Sequence, residues 1–156
     1  MMPHPAAKPI AIAADHRGVV LKARLIQWLQ AHGHTVSDLG ADRADKRVDA
    51  MDYAVALAAE LKHGRSDIAV GLCGSGQMMA IAGNRFPFIR ATLLLTAEEA
   101  AGARQHGDAN MLVLGADTLD AGTAERILEI FLTTDALGDR YAERRDRLAR
   151  LDISAL

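Results

Sequence analysis

A cysteine beside a glycine-rich turn is the feature of this sequence best suited to chemistry. Residues 68–72 form an apolar run without helical spacing, which is typical of a strand buried on both faces of a parallel sheet. The run ends at Cys73, the turn Gly74-Ser75-Gly76 follows, and a helix is predicted from Gln77. Backbone N–H groups in such a turn point towards one position and can bind an anion there. We therefore expect an anion site with Cys73 at its rim.

Cys73 admits two interpretations. The N-terminus of a helix stabilises a nearby thiolate, which could serve as a base or a nucleophile. A lone free cysteine at the end of a strand is also commonly just a small buried core residue. Its position and spacing fit both interpretations equally well.

Arginines recur in the last segment, where a helix is predicted over 137–151. On that helix Arg140 and Arg144 lie one turn apart, and their like charges repel unless an anion lies between them. The alternative is a solvent-exposed face with pairs such as Glu143 with Arg147. An apolar stripe beside the arginines indicates that the helix packs on something, and we expect a partner subunit. The stripe consists of Leu137, Tyr141, Leu148 and Leu151.

Short apolar strands alternate with amphipathic helices along the chain. This alternation predicts an α/β fold, a three-layer α/β/α sandwich around a five-stranded parallel, Rossmann-like sheet. Thr96 can cap the helix that follows the fourth strand. The predicted strands are 9–14, 35–39, 67–73, 89–95 and 111–114, and the predicted helices are 21–29, 52–62, 77–82, 98–105, 119–132 and 137–151.

Polar side chains follow several of these elements. Asp15 and His16 come directly after the first strand, whereas His106 ends the helix after the fourth strand. In open parallel sheets, ligands bind at the carboxyl ends of the strands. We expect these groups and Cys73 at that edge. The alternatives are that Asp15 merely caps the first helix and that His106 is an exposed histidine at a helix C-terminus.

Length, composition and charge exclude several classes of protein. The chain has 156 residues, and 50% of them are hydrophobic, so we expect a single domain over 1–156, with a short leader at 1–8. A formal net charge of −2 argues against a nucleic-acid partner. We expect no membrane span and no signal peptide, and hence a cytoplasmic protein. The histidines and acids show no close metal-ligand spacing, so no metal is predicted.

As an ordered set, the motifs of the chain resemble those of the type B ribose-5-phosphate isomerases, a family that includes the galactose-6-phosphate isomerase subunits. The match runs from about Ile10 to Arg144. The resemblance implies a similar fold, no metal or organic cofactor, and a homodimer or tetramer with active sites at the subunit interface. The matching motifs are Asp15-His16-Arg17-Gly18, Asp49 with Tyr53, Cys73-Gly74-Ser75-Gly76, Ile81-Ala82-Gly83-Asn84-Arg85, Arg90-Ala91, Arg104-Gln105-His106, Asp108-Ala109-Asn110 and Leu114-Gly115.

The resemblance also implies roles for individual residues. Cys73 would be the base that moves a proton between C1 and C2 of a sugar phosphate, and the backbone of 74–77 would stabilise the enediolate oxygen. Family members without this cysteine use a glutamate six residues further on, where this chain has Met79, so it resembles the cysteine-type branch. The implied catalytic residues are Cys73, Ser75, Asp15 and His106. The implied substrate ligands are His16, Arg47, Gly74, Gly76, Gln77, Gly107, Asn110, Arg140 and Arg144, with the last two reaching across the dimer.

Several positions depart from the family pattern. Ala50 and Met51 replace a tyrosine and a proline, and Met78 replaces a loop glycine. Gly107 replaces an asparagine that binds a substrate hydroxyl, and Tyr141 replaces a histidine. The loss of polar ligands and the gain of a bulky apolar side chain change a pocket more than its chemistry. The identity of the sugar phosphate is therefore open.

Three functional hypotheses follow. The first, which we favour, is an aldose–ketose isomerase of a pentose or tetrose phosphate such as ribose 5-phosphate, with a six-carbon sugar phosphate as the alternative substrate. The second is a cysteine hydrolase in which Cys73, His106 and Asp15 form a triad. The third is a sugar-phosphate-binding relative without activity, against which the presence of those three residues speaks.

Overall fold

The computed structural model describes residues 7–156, so most of the predicted leader lies outside the described residues. Every predicted strand and helix is present, with ends shifted by a few residues. Short 3-10 turns cover His16–Gly18 and Ile153–Ala155. The strands are β1 (Ile10–Ala14), β2 (Val36–Asp38), β3 (Ala69–Cys73), β4 (Ala91–Leu93) and β5 (Met111–Gly115). The helices are α1 (Val19–Ala31), α2 (Ala50–Lys62), α3 (Gln77–Gly83), α4 (Ala97–Gly107), α5 (Ala121–Thr133) and α6 (Asp139–Ala149).

The strands form one parallel sheet in the order β2-β1-β3-β5-β4. Parallel neighbours require crossover connections, and the helices that make them cover both faces of the sheet. Helices α1, α4 and α5 pack on one face, and α2 and α3 pack on the other. The predicted α/β/α sandwich is thus confirmed. A single sheet joins both apolar layers, which supports the prediction of one domain.

The two faces of the sheet bury side chains of different size. Under α1 and α5, large side chains such as Leu25 and Phe131 are fully buried, and each contributes roughly 1.5–3 kcal/mol to stability. Under α2, small side chains such as Ala54 and Ala58 are common. The outer side of this thinner layer carries exposed apolar side chains, which we call the α2/α3 apolar surface. It consists of Met51, Val55, Met78 and Ile81, which are 46–59% exposed.

Strand β4 is shorter than predicted because side chains bind its backbone. Asn84 Nδ2 donates to the Ala91 carbonyl at 2.9 Å, and Ala91 N–H donates to Asn84 Oδ1 at 2.8 Å. Asn110 Oδ1 accepts a hydrogen bond from Arg90 N–H at 2.8 Å, and Asn110 Nδ2 donates to the Phe88 carbonyl at 2.9 Å. The Asn110 bonds satisfy backbone groups just before β4, and the Asn84 bonds satisfy the outer side of Ala91, which faces no neighbouring strand in the described chain.

Helix α4 begins at the predicted cap. Thr96 Oγ1 accepts a hydrogen bond from Glu99 N–H at 3.3 Å, and the Glu99 carboxylate accepts one from Thr96 N–H at 3.1 Å, which completes a capping box. A cap of this kind contributes about 1 kcal/mol. The helix ends at Gly107, where Asp108 follows with φ of +46°. The chain then enters β5 three residues later.

Helix α6 contacts the end of α4 in its own chain. Leu137 N–H donates to the Gln105 carbonyl at 2.9 Å, and Arg145 donates to the carbonyls of His106 and Leu137 at 3.2 and 2.8 Å. None of the residues of α6 is buried. Packing of its apolar stripe on a partner subunit stays a prediction. Within residues 7–156, no helix has the length and apolar character needed to cross a membrane.

Candidate active site

The connections that leave β1 and β3 run towards opposite edges of the sheet, and polar side chains follow both strands at this switch point. Ala14 pairs with Leu72, and Asp15 N–H donates to the Leu72 carbonyl at 3.1 Å. Continuing this register by one residue puts Asp15 beside Cys73, on strands about 4.8 Å apart. Alternation along both strands points the two side chains to the α2/α3 face. A carboxylate and a thiol thus meet where open parallel sheets bind ligands.

Cys73 is 4% exposed, and a backbone donor faces its sulfur. Gly76 N–H donates to Cys73 Sγ at 3.1 Å, an arrangement suited to a thiolate. The turn needs glycine at 76, because φ is +80° there and a Cβ would overlap Leu93 Cδ1. The thiol is therefore buried in the core layer and also supplied with a polar partner.

The turn offers fewer free donors than the sequence predicts. The Gly76 N–H is taken by Cys73, and Gln77 N–H donates to Ser75 Oγ at 3.3 Å. Within the described chain this leaves the N–H groups of Gly74 and Ser75 for a ligand. In this arrangement the side chains of Cys73 and Ser75 accept both of these hydrogen bonds, and the binding of substrate by Gly76 and Gln77 stays a prediction.

Asp15 caps a turn, and this role leaves part of its carboxylate for the site. Its Oδ1 accepts hydrogen bonds from Arg17 N–H at 2.9 Å and Gly18 N–H at 3.2 Å, so it caps the 3-10 turn before α1. Its other oxygen, Oδ2, is left for a ligand. His16 accepts a hydrogen bond at Nδ1 from Val48 N–H at 3.3 Å, so its neutral ring carries the proton on Nε2 and can donate it.

These groups line a cavity of about 570 Å³, which we call the carboxyl-edge cavity. Its volume suits a small ligand. Arg17 forms an ion pair with Asp117 across the turn. The pair lies so close to Gly74 that a Cβ there would be 2.9 Å from an atom of each partner. The sequence analysis gave Arg17 no role, although it lies within the Asp15–Gly18 motif. The lining residues central to the site are Asp15, His16, Arg17, Arg47, Cys73 and Met78.

His106 lies at the opposite end of the sheet. Helix α4 starts at the carboxyl end of β4 and returns antiparallel to the strands, so it ends where β5 begins. The Asn110 carbonyl accepts a hydrogen bond from Ala69 N–H at the start of β3, whereas Cys73 pairs with Gly115 at its end. Five residues of strand separate the two levels by about 16 Å. The prediction that His106 shares an edge with Cys73 is wrong, because a crossover helix ends at the amino edge.

The candidate phosphate ligands lie beside His106, in what we call the amino-edge cluster: His106, Arg140, Tyr141 and Arg144. The rings of His106 and Tyr141 stack with centroids 4.5 Å apart and planes 5° from parallel. Arg140 Nη2 donates to the Tyr141 hydroxyl at 2.9 Å, which raises the pKa of the exposed Arg140 guanidinium. The guanidinium carbons of Arg140 and Arg144 lie 4.9 and 5.8 Å from the Tyr141 centroid.

Two further predicted ligands lie between His106 and β5: Gly107 ends α4, and Asn110 directly precedes the strand. The amide of Asn110 binds the backbone of residues 88 and 90, which gives it a structural role, and its role in substrate binding stays a prediction. A Cβ at Gly107 would meet open space. Arg90 and Arg104 both bind Asp108, at 3.4 and 2.9 Å, and so fix the loop next to His106.

The fold and the cavity define an α/β protein with a polar-lined cavity at the switch point of its sheet, where open parallel sheets bind small ligands. The family model described as Ribose/Galactose Isomerase matches residues 10–148. The chain is 40% identical to a putative sugar phosphate isomerase of Rickettsia bellii, over 86% of this chain and 93% of that one. It is 30% identical to the ribose-5-phosphate isomerase B of Escherichia coli, over 93% and 97%. The chain belongs to the Ribose/Galactose Isomerase family, which confirms the resemblance seen in its motifs.

Solved structures agree with this assignment. A ribose 5-phosphate isomerase of Thermotoga maritima has a TM-score of 0.89 and 35% identity, covering 94% of this chain and 100% of that one. The ribose-5-phosphate isomerase B of Mycoplasma genitalium, solved with bound ribulose-5-phosphate, has a TM-score of 0.88 and 31% identity, covering 94% and 97%. The cysteine-hydrolase hypothesis loses its support, because His106 is too far from Cys73 to form a triad within one chain.

Proposed function

We propose that this protein is an aldose–ketose isomerase that interconverts ribose 5-phosphate and ribulose 5-phosphate. The observation that carries the proposal is the buried Cys73 thiol beside Asp15 in the carboxyl-edge cavity, in a chain of this family. The M. genitalium relative was solved with ribulose-5-phosphate, the ketose of this pair. A cytoplasmic location stays an expectation from the sequence.

The residues of the cavity supply the parts of the reaction. The Cys73 thiolate takes the proton from C2 of the open-chain aldose, the C2 electrons form the C1–C2 double bond, and the C1 carbonyl oxygen becomes negatively charged. The N–H groups of Gly74 and Ser75 stabilise that oxygen. The proton of the C2 hydroxyl then moves to the C1 oxygen, the Cys73 thiol returns its proton to C1, and C2 becomes the carbonyl carbon of the ketose. Asp15 Oδ2 and His16 Nε2 bind the hydroxyl groups and the phosphate of the substrate.

A complete site needs a second copy of the chain. Arg140 and Arg144 do not line the carboxyl-edge cavity, and the amino-edge cluster lacks the thiol, with about 16 Å of strand between their levels. In a two-fold dimer, antiparallel docking puts the amino edge of one copy beside the carboxyl edge of the other. The α2/α3 apolar surface borders the cavity at Met78 and is exposed in the single chain. We propose that a second copy covers this surface and brings its His106, Arg140 and Arg144 to the cavity.

A coupled assay with a panel of sugar phosphates tests the proposed activity. The panel contains four-, five- and six-carbon aldose phosphates and unphosphorylated ribose. The highest kcat/KM is expected for a pentose phosphate, and ribose should be a poor substrate because it lacks the charge that the arginines bind. Turnover of no sugar phosphate would remove the proposal, and preference for a six-carbon phosphate would correct its substrate.

A further inference from the structure

Tyr141 contacts every candidate substrate group of the amino-edge cluster. We propose that it is a positioning residue, which holds His106, Arg140 and Arg144 in one arrangement before substrate arrives and thereby sets both turnover and phosphate affinity. The inference rests on the proposed isomerase function. In the sequence this side chain is part of the apolar stripe of the last helix and a departure from the family pattern.

The stack with His106 restricts the imidazole. The two rings are 5° from parallel with centroids 4.5 Å apart, so the histidine can neither tilt nor turn about χ1 without losing the contact. The His106 side chain is otherwise exposed, and its backbone carbonyl is fixed by Arg145 at 3.2 Å. Tyr141 therefore restrains the side chain of His106, and Arg145 restrains its backbone.

The same ring offsets the repulsion between the arginines. Arg140 and Arg144 are like charges one helical turn apart, an arrangement that is unfavourable without an anion. The Tyr141 ring attracts both guanidinium groups, which lie 4.9 and 5.8 Å from its centroid, and its hydroxyl accepts a hydrogen bond from Arg140 at 2.9 Å. Both cations are thus kept near one point, ready for a phosphate group.

The location of Tyr141 allows its side chain to be changed without loss of the fold. No residue of α6 is buried, and α6 is joined to α4 by the hydrogen bonds of Arg145 and Leu137. Tyr141 makes its contacts with side chains of the cluster. A variant at this position should therefore disturb the cluster and leave the helix in place.

Two variants separate the contribution of the Tyr141 hydroxyl from the contribution of its ring. Tyr141→Phe removes the bond to Arg140 but keeps the stack, so KM should rise two- to fivefold with kcat nearly unchanged. Tyr141→Leu removes both contacts, so KM should rise at least tenfold and kcat should fall at least fivefold. His32→Leu is the matched control, because it removes an imidazole from the Trp28–His32 stack on α1, where centroids are 3.9 Å apart. This control should leave both constants unchanged.

Two readouts need no turnover. In NMR spectra, the ring protons of His106 should carry an upfield ring-current shift in the wild type and in Tyr141→Phe, and lose it in Tyr141→Leu. In calorimetry, Tyr141→Leu should bind inorganic phosphate at least fivefold more weakly than the wild type. Wild-type KM, kcat and phosphate affinity in Tyr141→Leu would overturn the inference. A wild type that isomerises no sugar phosphate would remove the proposed function, while phosphate affinity would still decide the role of Tyr141.

Discussion

The two polar ends of the sheet are built from different kinds of interaction. In the carboxyl-edge cavity, Cys73 and Asp15 lie on adjoining strand ends, are 4% and 7% exposed, and are held by backbone N–H groups. In the amino-edge cluster, His106 and the two arginines are exposed and are held by one aromatic ring. Backbone restraint suits a base that must meet a particular carbon atom. Contacts with a side chain suit cations that must move a short distance to bind an anion.

Removing the thiol from the carboxyl-edge cavity should cause the largest loss of activity. We expect Cys73→Ala to lower kcat at least a hundredfold, because a positioned base contributes about 10²–10⁴ in rate. Only one small side chain is lost, so circular dichroism and the thermal midpoint should stay close to those of the wild type. Activity within a few-fold of the wild type would make Cys73 a core residue only.

Mixing two defective proteins tests whether the two ends belong to one site. Dimers of Cys73→Ala lack the base, and dimers of Arg140→Ala with Arg144→Ala lack the cations. After subunit exchange, a mixture of equal parts should regain about a quarter of the wild-type sites, since each hybrid dimer has one intact site. The measurement is the rate at low substrate before and after exchange. Confirmed exchange without recovery would place the arginines outside the partner's site.

The arginine pair should affect affinity more than turnover. Charge-assisted hydrogen bonds to a phosphate are worth about 1.5–3 kcal/mol each, so Arg140→Ala with Arg144→Ala should raise KM for a phosphorylated sugar at least tenfold. Any weak turnover of the unphosphorylated sugar should hardly change. Arg147→Ala with Arg150→Ala makes the same charge change at the other end of α6 and should leave KM unaltered. Equal loss on both sugars would indicate a structural role.

The smallest expected effect concerns specificity at Gly107. A Cβ there meets open space, so Gly107→Asn should fit and offer a hydrogen bond to a substrate hydroxyl. Such a bond is worth about 0.5–1.5 kcal/mol, so activity on ribose 5-phosphate relative to the other sugars should rise several-fold. Gly102→Asn, in the same helix and equally open, is the matched control. An unchanged ratio would point to Met78 or Ala50 as the residue that sets the pocket.

The sequence was sufficient for the elements of the fold and for one end of the site. Apolar runs bounded by polar residues predict the strands, and the motifs after β1 and β3 predict that Asp15 and Cys73 meet, because parallel strands end at the same edge. The glycine turn after β3 is predicted as well, and Gly76 there has φ of +80°, a conformation that other residues rarely adopt. These features depend on local pattern and on one rule of sheet geometry.

The other end required the three-dimensional path of the chain. The pattern assigns His106 to the end of a helix. Because that helix runs antiparallel to the strands, it ends at the amino edge of the sheet and not at the carboxyl edge. Asn110 is a ligand by family resemblance, and its hydrogen bonds to the backbone of residues 88 and 90 appear only in the structure. The stack of Tyr141 on His106 joins residues 35 positions apart in sequence, and no periodicity indicates it.

The asparagine at the outer side of β4 also bears on how this protein avoids aggregation. An edge strand normally presents unpaired backbone groups that can recruit a strand from another molecule. Here Asn84 binds both backbone polar groups of Ala91, the first residue of that strand, at 2.9 and 2.8 Å. The opposite edge, β2, is three residues long. A second copy therefore finds little backbone to pair with, and self-association is directed away from open-ended β-pairing and towards contacts between helices.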